Sequence, residues 1–394
     1  MDPVRNPYAP GAGQRPPELA GRDRELAQFD VVLERIARGR PERSLVLTGL
    51  RGVGKTVLLN ALRSQAISRL WGTGKIEARP EQSIRRPLAS ALHMAARELT
   101  PRHRDPAQVD QFLGVLKAFA IRSLGGRLRD RWQPGIDVPA ATGRADTGDI
   151  EVDLVELLVD AAGVARDVGV GIALFVDEMQ DIPPADVSAL CAACHELSQQ
   201  ALPLVVVGAG LPHLPAVLSA SKSYSERLFR YVRIDKLDRA SADLALVAPA
   251  AEEGVAYDDA ALDALYEVTE GYPYFVQAYG KVTWDNAPRS PVSRADVHVA
   301  APEAEAELAV GFFGSRYERA TPAERDYLRA MAVLSDETDG PVPTAAVAEH
   351  LGRKPSSLSP ARDSLMKKGL VYSAERGTIA FTVPHFGNYL RKHG

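Results

Sequence analysis

The sequence lacks three features that would place it in a special class of protein. No apolar run approaches the roughly eighteen residues that a membrane-spanning helix needs. The opening segment is rich in proline and glycine and has no apolar core of the kind found in secretory signals. The net charge is only −4, so no general basic excess marks the chain as a nucleic-acid binder. We therefore expect a globular cytoplasmic protein, with no membrane contact and with any strongly charged surface confined to one region.

Cysteine is also scarce, and both copies stand together in CAACH, at Cys191 and Cys194. As a pattern alone this is a haem-attachment signature. Val187, Leu190, Cys194 and Leu197 recur at helical spacing, however, which is typical of an amphipathic helix. Covalent haem attachment also takes place outside the cytoplasm. We interpret the two cysteines as small packed residues of a helix rather than as a haem or metal site.

The segment Gly49 to Thr56, GLRGVGKT, fits the phosphate-binding pattern G-x-x-x-x-G-K-[ST]. RSLVLTG before it predicts a buried strand, and TVLLNALRSQAISRLW after it predicts a helix. Glycines let backbone N–H groups surround the β-phosphate, Lys55 reaches the β and γ oxygens, and Thr56 offers its hydroxyl to Mg²⁺. The predicted nucleotide-binding residues here are Gly49, Leu50, Arg51, Gly52, Val53, Gly54, Lys55, Thr56 and Val57.

Two adjacent acids, Asp177 and Glu178, close the aliphatic run IALFV. Adjacent carboxylates at the end of a buried strand are unfavourable unless they face a cation or water. With a phosphate-binding loop in the same sheet, we expect Asp177 to hold Mg²⁺ together with Thr56. Glu178 is then expected to orient or deprotonate the attacking water. The alternative is a strand end that simply reaches solvent.

The wider pattern predicts an α/β protein of the P-loop NTPase type. GIALFVDEMQ, LPLVVVGAG and FRYVRID are further strand candidates, GKIEAR is a weak one, and helical patterns lie between them. Buried aliphatic strands that alternate with helices indicate a mainly parallel sheet covered on both faces.

The length predicts two or three domains. We expect a P-loop ATPase domain at 1–237, with an irregular arm at 1–20 lying on it and an exposed insertion at about 100–150. A small helical lid of two helices is expected at 238–300, ending in an acidic, alanine-rich link, and a last module at 301–394.

The last module has the pattern of a winged helix-turn-helix. Thr321, Pro322 and Glu324 form a capping box before the first helix, Gly352 ends the second, and Ser357 is the expected cap of the third. LVYSAERGTIAFTV predicts a hairpin. Residues 301–350 carry a net charge of −6 and residues 351–394 a net charge of +6. The predicted contacts to double-stranded DNA are Arg353, Lys354, Ser356, Ser357, Ser359, Arg362 and Arg376.

These motifs together resemble the prokaryotic AAA+ and STAND-type P-loop ATPases, a group that includes archaeal-type ATPases and has the layout of origin-recognition initiators. The resemblance rests on AGRDREL, GLRGVGKT, FVDEMQDI, ERLFRYVRI and EGYPYFVQAYG, and it covers nearly the whole chain outside the insertion. It implies ATP and Mg²⁺ as ligands.

The resemblance also implies roles for residues outside the loop. Gly21 and Arg22 are expected near the adenine, and the segment Gly271 to Pro273 is expected to contact the nucleotide or to cap helices. Arg227, or else Arg230, is expected to contact the γ-phosphate, as an arginine does in relatives, where it often comes from a neighbouring subunit. Initiator-type relatives carry a polar sensor residue where this sequence has Gly208, Ala209 and Gly210. We therefore expect slow, switch-like hydrolysis.

Two outputs remain open at this stage. The last module binds DNA, or it stays an intramolecular clamp while the partner is another protein or a second copy of the chain. A metabolic phosphotransferase is a third class, but no acceptor site for a small molecule is apparent.

Overall fold

The computed structural model describes residues 1–11, 13–122, 136–335 and 339–394. Its main sheet has five strands, β1 (Ser44–Thr48), β2 (Gly72–Glu77), β3 (Ile172–Asp177), β4 (Leu204–Gly210) and β5 (Phe229–Arg233). All pair in parallel, in the order β2-β3-β4-β1-β5. The strands β1, β3 and β4 are buried along their whole length, which explains their nearly unbroken aliphatic sequences. The predicted P-loop NTPase fold class is confirmed.

Helices cover both faces of this sheet. They are α1 (Asp23–Ala37), α2 (Lys55–Ser68), α3 (Arg85–Leu99), α4 (Pro106–Arg122), α5 (Ile150–Val168), α6 (Pro184–Gln199), α7 (Leu214–Ser221) and α8 (Ser225–Leu228). One apolar core lies between the sheet and α1 and α2, around Phe29, Leu58 and Phe175. A larger one lies on the opposite face, where α3, α5 and α6 pack on β2, β3 and β4, and α4 packs on α3 and α5. Because the strands are parallel, the loops after β1 and β3 meet at the same edge of the sheet.

The described part of the predicted insertion is packed rather than fully exposed. Residues 136–149 have no regular structure, but Ile136 and Ala145 are buried. The Lys117 ammonium donates to the carbonyls of Ile136 and Val138, and Arg144 pairs with Asp160. Most of these residues are nevertheless exposed, while the buried apolar side chains and the Arg144 ion pair hold the segment against α4 and α5. The remainder, 123–135, lies outside the described residues.

After β5 the chain forms four helices, α9 (Arg239–Glu252), α10 (Asp259–Thr269), α11 (Pro273–Asn286) and α12 (Arg294–Glu307). The helices α10 and α11 are the two that the sequence predicts, whereas α9 was not predicted and the acidic, alanine-rich link forms α12. Pro249 and Pro302 lie inside α9 and α12. The link is helical because Ser293 and Asp296 form a capping box at its start and Val297, Ala300 and Ala304 bury its apolar face. We call these four helices the lid.

The N-terminal arm contacts the lid through its first residues. The Met1 amino group donates to the carbonyls of Trp284 and Ala287, and the Trp284 indole donates to the Asp2 carbonyl. Tyr8 is buried, and its hydroxyl bonds the Leu246 carbonyl and the Tyr257 hydroxyl. The arm was expected to lie on the ATPase domain, but aromatic packing in the lid holds its first residues. The domain boundaries themselves stay a prediction.

The last module follows a π-helix at Leu308–Gly314 and a short helix, α13 (Ser315–Tyr317). It contains α14 (Pro322–Leu334), α15 (Thr344–His350), α16 (Pro355–Lys367), α17 (Phe386–His393) and the strands β6 (Val342–Pro343), β7 (Val371–Tyr372) and β8 (Thr378–Phe381). The strands form an antiparallel sheet in the order β6-β8-β7. Lid and module share one apolar core.

One of the two helix starts predicted in the last module agrees with the structure. Thr321 and Glu324 form the expected capping box at α14. The cap predicted at Ser357 is wrong, because α16 begins earlier, with Lys354 at the N-cap position and Pro355 in its first turn. Pro360 is then inside the helix, at an exposed position where water can bond the carbonyl that its ring leaves without a partner. That the module is a winged helix stays a prediction.

Among the described residues, no helix has both the length and the apolar character needed to cross a bilayer.

Candidate functional site

The loop between β1 and α2 has the backbone of an anion-binding turn. Gly52 and Gly54 have positive φ angles of 86° and 89°, and α2 begins directly afterwards at Lys55. Left-handed glycines of this kind form concave nests of N–H groups, and the helix start adds the positive end of its dipole. Gly49 is required for a different reason. A Cβ there would lie 2.2 Å from the Ile234 carbonyl oxygen, so only glycine allows the close approach of β5.

The Lys55 side chain lies along this loop. Its ammonium donates to the carbonyls of Gly49 at 2.9 Å and Leu50 at 2.7 Å. Burial lowers the pKa of Lys55 to about 8, while the nearby carboxylates of Glu178 and Asp177 oppose the shift. A bound anion would favour the protonated form, so the side chain is placed to gain from a phosphate.

The two predicted acids lie at the end of β3, which is separated from β1 and its loop by β4. Asp177 is buried, and its carboxylate accepts from the Glu178 backbone N–H at 3.0 Å. Glu178 has a positive φ of 49°, which is uncommon for a residue with a side chain. Strained backbone of this kind occurs disproportionately at functional sites.

Arg51 joins Glu178 to the last module. Its guanidinium pairs with the Glu178 carboxylate at 3.0 Å and donates to the Gly369 carbonyl at 3.3 Å. Its backbone N–H donates to the Thr382 carbonyl at 2.8 Å. Gly369 has a positive φ of 64°, and a Cβ on it would lie 2.7 Å from the Arg51 guanidinium. One side chain of the phosphate-binding loop therefore touches both the candidate catalytic acid and the hairpin region of the module.

A cavity of about 400 Å³ lies over the loop. This volume is within the range of small-molecule sites. Of the predicted residues, the cavity is lined by Arg22, Arg51, Gly52, Val53, Gly54, Lys55, Thr56, Val57, Asp177, Glu178 and Pro273. The structure thus gathers residues from the loop, the end of β3 and the lid around one space.

Other predicted residues lie outside the cavity wall. Gly49 and Leu50 contribute their carbonyls to Lys55, and Gly21 packs against Ser241 of the lid. Arg22, by contrast, lines the cavity; it is buried and donates to the carbonyls of Val53 and Asp235, so it joins the loop to the segment after β5.

The two arginines proposed for the γ-phosphate, Arg227 and Arg230, have different surroundings. Arg227 is exposed in α8, whereas Arg230 is partly buried in β5 and donates to the Gln28 side chain at 2.7 Å. Neither lines the cavity. Within one chain neither residue therefore contacts this site.

The lid reaches the loop through the start of α11. Gly271 has a positive φ of 74°, and its carbonyl accepts from the Leu237 N–H at 2.8 Å. Pro273 is in the first turn of α11 and lines the cavity. The next residue, Tyr274, donates its N–H to the Gly52 carbonyl at 3.2 Å. The helix start thus combines a capping role with a direct contact to the phosphate-binding loop.

Gly208 and Gly210, at the end of β4, stand where a polar sensor residue was expected. Side chains of the turn after β3 lie against these two glycines. Cβ atoms on Gly208 and Gly210 would lie 2.4 Å from the Met179 sulfur and 2.7 Å from the Gln180 side-chain oxygen. The Gln180 amide donates to the Glu178 carboxylate at 2.7 Å and accepts from the Leu211 N–H at 3.1 Å. Gln180 therefore links the candidate catalytic acid to the end of β4, a role that local sequence reasoning did not assign.

Comparison with known proteins places this site in a family. Residues 18–207 match the family model described as the AAA ATPase domain. This part of the chain is thus similar to an AAA ATPase domain, and we call residues 18–207 the AAA ATPase domain after the family that they match. Residues 310–390 match a second family, described as a domain of unknown function (DUF8462). No curated protein is similar enough in sequence to count as a match.

Solved structures agree on the fold. The Walker-type ATPase of Pyrococcus abyssi superposes with a TM-score of 0.59 at 17% identity, covering 96% of this chain and 97% of that one. The Thermotoga maritima RuvB Holliday junction branch migration motor reaches 0.46 at 17% identity, with coverages of 94% and 96%. The Aeropyrum pernix ORC1 protein in complex with DNA also reaches 0.46 at 17% identity, with coverages of 96% and 94%. At these identities the likeness concerns the fold alone, and the last two superpositions carry no argument about this chain.

The AAA ATPase domain has the groups that Mg²⁺ and a nucleotide need. A carboxylate and a hydroxyl, from Asp177 and Thr56, line the same cavity, and hard oxygen ligands are what Mg²⁺ prefers. The Gly52 and Gly54 turn provides the concave backbone for phosphate. The residues present therefore fit both groups.

Three sets of cavity residues were missed by sequence reasoning. The first is the arm residues Ala9, Pro10, Gly11, Gly13, Gln14, Pro16, Glu18, Leu19 and Ala20. The second is the lid residues Ala245, Tyr274, Val276 and Gln277, and the third is Gly311, Phe312 and Arg316 next to the last module. The arm and Arg316 lack a motif, so only their tertiary positions reveal them. Tyr274 follows the predicted GYP segment directly, and this proximity was a usable signal.

The cysteines lie away from the cavity. Both are buried in α6, and burial raises the pKa of Cys191 to about 11 and that of Cys194 to about 12. Their thiols are thus kept protonated at neutral pH, as packed residues. Within the described residues, no group of three or more His, Cys, Asp or Glu side chains has the arrangement of a metal site.

The predicted DNA-contacting residues lie on the outer side of the module. Arg353, Lys354, Ser356 and Ser357 are exposed at the start of α16, and Arg376 is exposed in the hairpin turn. Ser359 bonds the Pro355 carbonyl, and Arg362 pairs with its neighbour Asp363. These residues are separate from Gly369 and Thr382, which contact the AAA ATPase domain.

Proposed function

We propose that the protein binds ATP with Mg²⁺ and hydrolyses it slowly, as a conformational switch. The observation that supports this most is the convergence of the glycine-rich loop, Lys55, Asp177 and Glu178 on one cavity of nucleotide size. The AAA ATPase family match supports the same activity.

The residues have distinct roles in this proposal. The loop from Gly49 to Val57 holds the phosphates, Lys55 neutralises them, and the arm and Arg22 lie on the side of the base. Thr56 and Asp177 hold Mg²⁺, which supplies charge neutralisation when it is bound. Glu178 orients the attacking water and accepts its proton.

Equilibrium titration with fluorescent ATP tests nucleotide binding. Lys55→Ala is expected to weaken binding by at least about 100-fold, because it removes a charge-assisted contact to the phosphates. Lys281→Ala, which removes an ammonium paired with Asp285 in the lid, should bind as the wild type does. Equal, measurable affinity of the wild type and Lys55→Ala would refute the proposal.

Hydrolysis is tested separately with Glu178→Gln, which keeps the shape of the side chain and removes its basicity. We expect ATP affinity within about threefold of wild type and a rate lowered by about 100-fold or more. If Glu178→Gln released phosphate at the wild-type rate, Glu178 would not be the residue that accepts the proton of the attacking water.

For the output of the switch, we propose that residues 301–394 act as a winged-helix domain that contacts double-stranded DNA. The support is the exposed basic surface around Arg353, Lys354 and Arg376, together with the net charge of +6 over 351–394. Arg353→Ala with Lys354→Ala should weaken binding in a low-salt shift assay and reduce its salt dependence. Arg289→Ala, which removes an exposed cation of the lid region, is the control.

A second candidate output is an intramolecular clamp whose external partner is a protein. The Arg51 contacts with Gly369 and Thr382 favour it, since they hold the module on the phosphate-binding loop. No DNA binding at low salt would favour this alternative.

We also propose that self-association brings Arg227 to the γ-phosphate of a neighbouring copy. The exposed position of Arg227 supports it. Mass in solution with ATP, with ADP and without nucleotide tests the idea, and a protein that stays monomeric in all three would exclude it.

A further inference from the structure

A second cavity, of about 220 Å³, lies between the lid and the last module. Most of its wall is formed by α11, by the π-helix Leu308–Gly314 and by α17, and we call it the lid–module cavity. None of the described residues that line it also lines the cavity over the phosphate-binding loop. Adjacent residues of the π-helix border the two spaces, Phe312 the first and Phe313 the second. The lid–module cavity is therefore a separate space, and nucleotide binding does not account for it.

The walls of the lid–module cavity are mainly aromatic. Phe313 stacks on Tyr389 with ring centroids 5.2 Å apart. The Phe275 centroid lies 6.1 Å from that of Phe313 and 5.3 Å from that of the His385 ring. Phe275 and Phe313 are buried, and rings that pack on one another in this way hold fixed positions. Such walls offer a preformed apolar surface to a flat ring.

One polar group of this cavity lacks a partner. Tyr279 lines the cavity from α11 and is only 5% exposed. Within the part of the chain that the structure describes, its hydroxyl makes no hydrogen bond. Buried tyrosine hydroxyls usually have a hydrogen-bond partner. Protein atoms do not enclose this hydroxyl completely, so a ligand in the cavity can supply the missing partner.

The charged residues of the cavity lie at its mouth, whereas its interior groups are neutral. The Glu305 carboxylate of α12 pairs with the Lys392 ammonium of α17 at 3.4 Å, and both side chains are more than half exposed. Burial raises the pKa of Tyr279, and the charge of Glu305 raises it further, so the hydroxyl stays protonated. Burial lowers the pKa of His385 despite the nearby carboxylate of Glu270. An ion among these rings would lose its hydration while the charges at the mouth are already paired, so the cavity favours an uncharged ligand.

We propose that the lid–module cavity binds a small uncharged aromatic compound, and that the Tyr279 hydroxyl forms a hydrogen bond with a polar atom of this compound. The cavity is smaller than the roughly 300–1,000 Å³ of sites for drug-sized molecules, so the ligand has one ring or two fused rings. It is a second ligand besides the nucleotide, at a site that shares no described residue with the nucleotide cavity. Because the compound contacts both the lid and the last module, its binding stabilises their contact.

Titration of the full chain with three uncharged aromatic probes tests the proposal. Indole, quinoline and 2-naphthol have a suitable size, and ligand-detected NMR follows their binding. We expect at least one of them to bind saturably at one site, with a dissociation constant below about 1 mM. The carboxylate derivative of that probe should bind at least about tenfold more weakly, because the interior cannot pair its charge. Saturating ATP with Mg²⁺ should not displace the probe.

Three variants locate the site. Tyr279→Phe removes only the hydroxyl, and we expect it to weaken binding of the probe by about 3–10-fold, the loss of one hydrogen bond. Tyr266→Phe is the matched control, because Tyr266 lies in the preceding lid helix, contacts Arg239 through its ring and does not line the cavity. It should bind the probe as the wild type does. Ala309→Phe fills the cavity from the π-helix and should abolish binding.

Several results would overturn the proposal. If none of the three probes bound, the cavity would not be a site for this class of ligand. Equal affinities of the wild type and Tyr279→Phe would exclude the hydrogen bond, and retained binding in Ala309→Phe would place the probe elsewhere. Displacement by ATP would place it in the nucleotide cavity. If circular dichroism shows that Ala309→Phe does not fold, the Tyr279→Phe and ATP results decide. A protein that bound no ATP would still give a clear result, since probe binding needs no nucleotide.

Discussion

At the scale of single residues, several positions combine a local rule with a long-range contact. Glu324 is part of the capping box of α14, and it also accepts from the Lys368 ammonium at 2.6 Å. Burial by itself would raise the pKa of Glu324. The hydrogen bonds from Lys368, Ser364 and the Thr321 backbone outweigh this effect and lower the pKa to about 2. Only the capping part of this role is visible in the sequence.

This pKa predicts a pH-dependent stability. A carboxylate with a depressed folded-state pKa stabilises the protein above its unfolded value of 4.5, and the contribution is lost as the pH falls towards 2. The shift corresponds to at most about 3 kcal/mol. Glu324→Gln should therefore lower the thermal midpoint at neutral pH, and its midpoint should fall less than that of wild type between pH 4.5 and pH 2. Glu349→Gln, at an exposed position of the same module, should follow the wild-type curve.

At the scale of secondary-structure elements, a buried ion pair fixes the chain before α5. The Arg85 guanidinium donates to the Asp153 carboxylate at 2.9 Å and lies over the Phe119 ring, while Asp153 also accepts from Thr147 and Gly148. Asp153 is fully buried. One carboxylate thus joins α3, α5 and the described end of the predicted insertion.

Asp153→Ala should lower the free energy of unfolding by about 3–5 kcal/mol, because it leaves the buried Arg85 cation without its partner. Asp160→Ala removes the partner of Arg144, whose side chain is 41% exposed, and should cost less than about 1 kcal/mol. Denaturant unfolding followed by circular dichroism measures both. If both variants lost a similar amount of unfolding free energy, burial would not explain the contribution of the Arg85–Asp153 pair.

At the scale of the whole molecule, the phosphate-binding loop is held from two sides. The lid bonds it through the Tyr274 N–H, and the last module bonds it through Arg51. Tyr372 of the module also stacks on His213, which follows β4, with ring centroids 6.1 Å apart. Any rearrangement of lid or module must therefore disturb the loop, the property that a nucleotide-controlled switch requires.

Two glycines test this coupling. Gly369 and Gly352 both have positive φ angles, of 64° and 60°, so alanine causes similar backbone strain at each. A Cβ on Gly369 would meet the Arg51 guanidinium, whereas a Cβ on Gly352 meets nothing within 4 Å. We expect Gly369→Ala to change the rate of ATP hydrolysis by at least about threefold, because it disturbs the Arg51 contact with Glu178, and Gly352→Ala to leave it unchanged. Identical rates in the two variants would argue against coupling through Arg51.

The sequence by itself determined the phosphate-binding loop, the acid pair, the parallel sheet and the α14 capping box. Each of these depends on neighbouring residues, through backbone sterics, strand burial or capping within one turn. Tertiary structure alone decided the position of the arm on the lid, the contact of Arg51 with Gly369 and the place of Arg316 in the cavity wall. These contacts join residues that are far apart in the chain, and their geometry follows from how the sheet, the lid and the module pack. No local periodicity or motif encodes that packing.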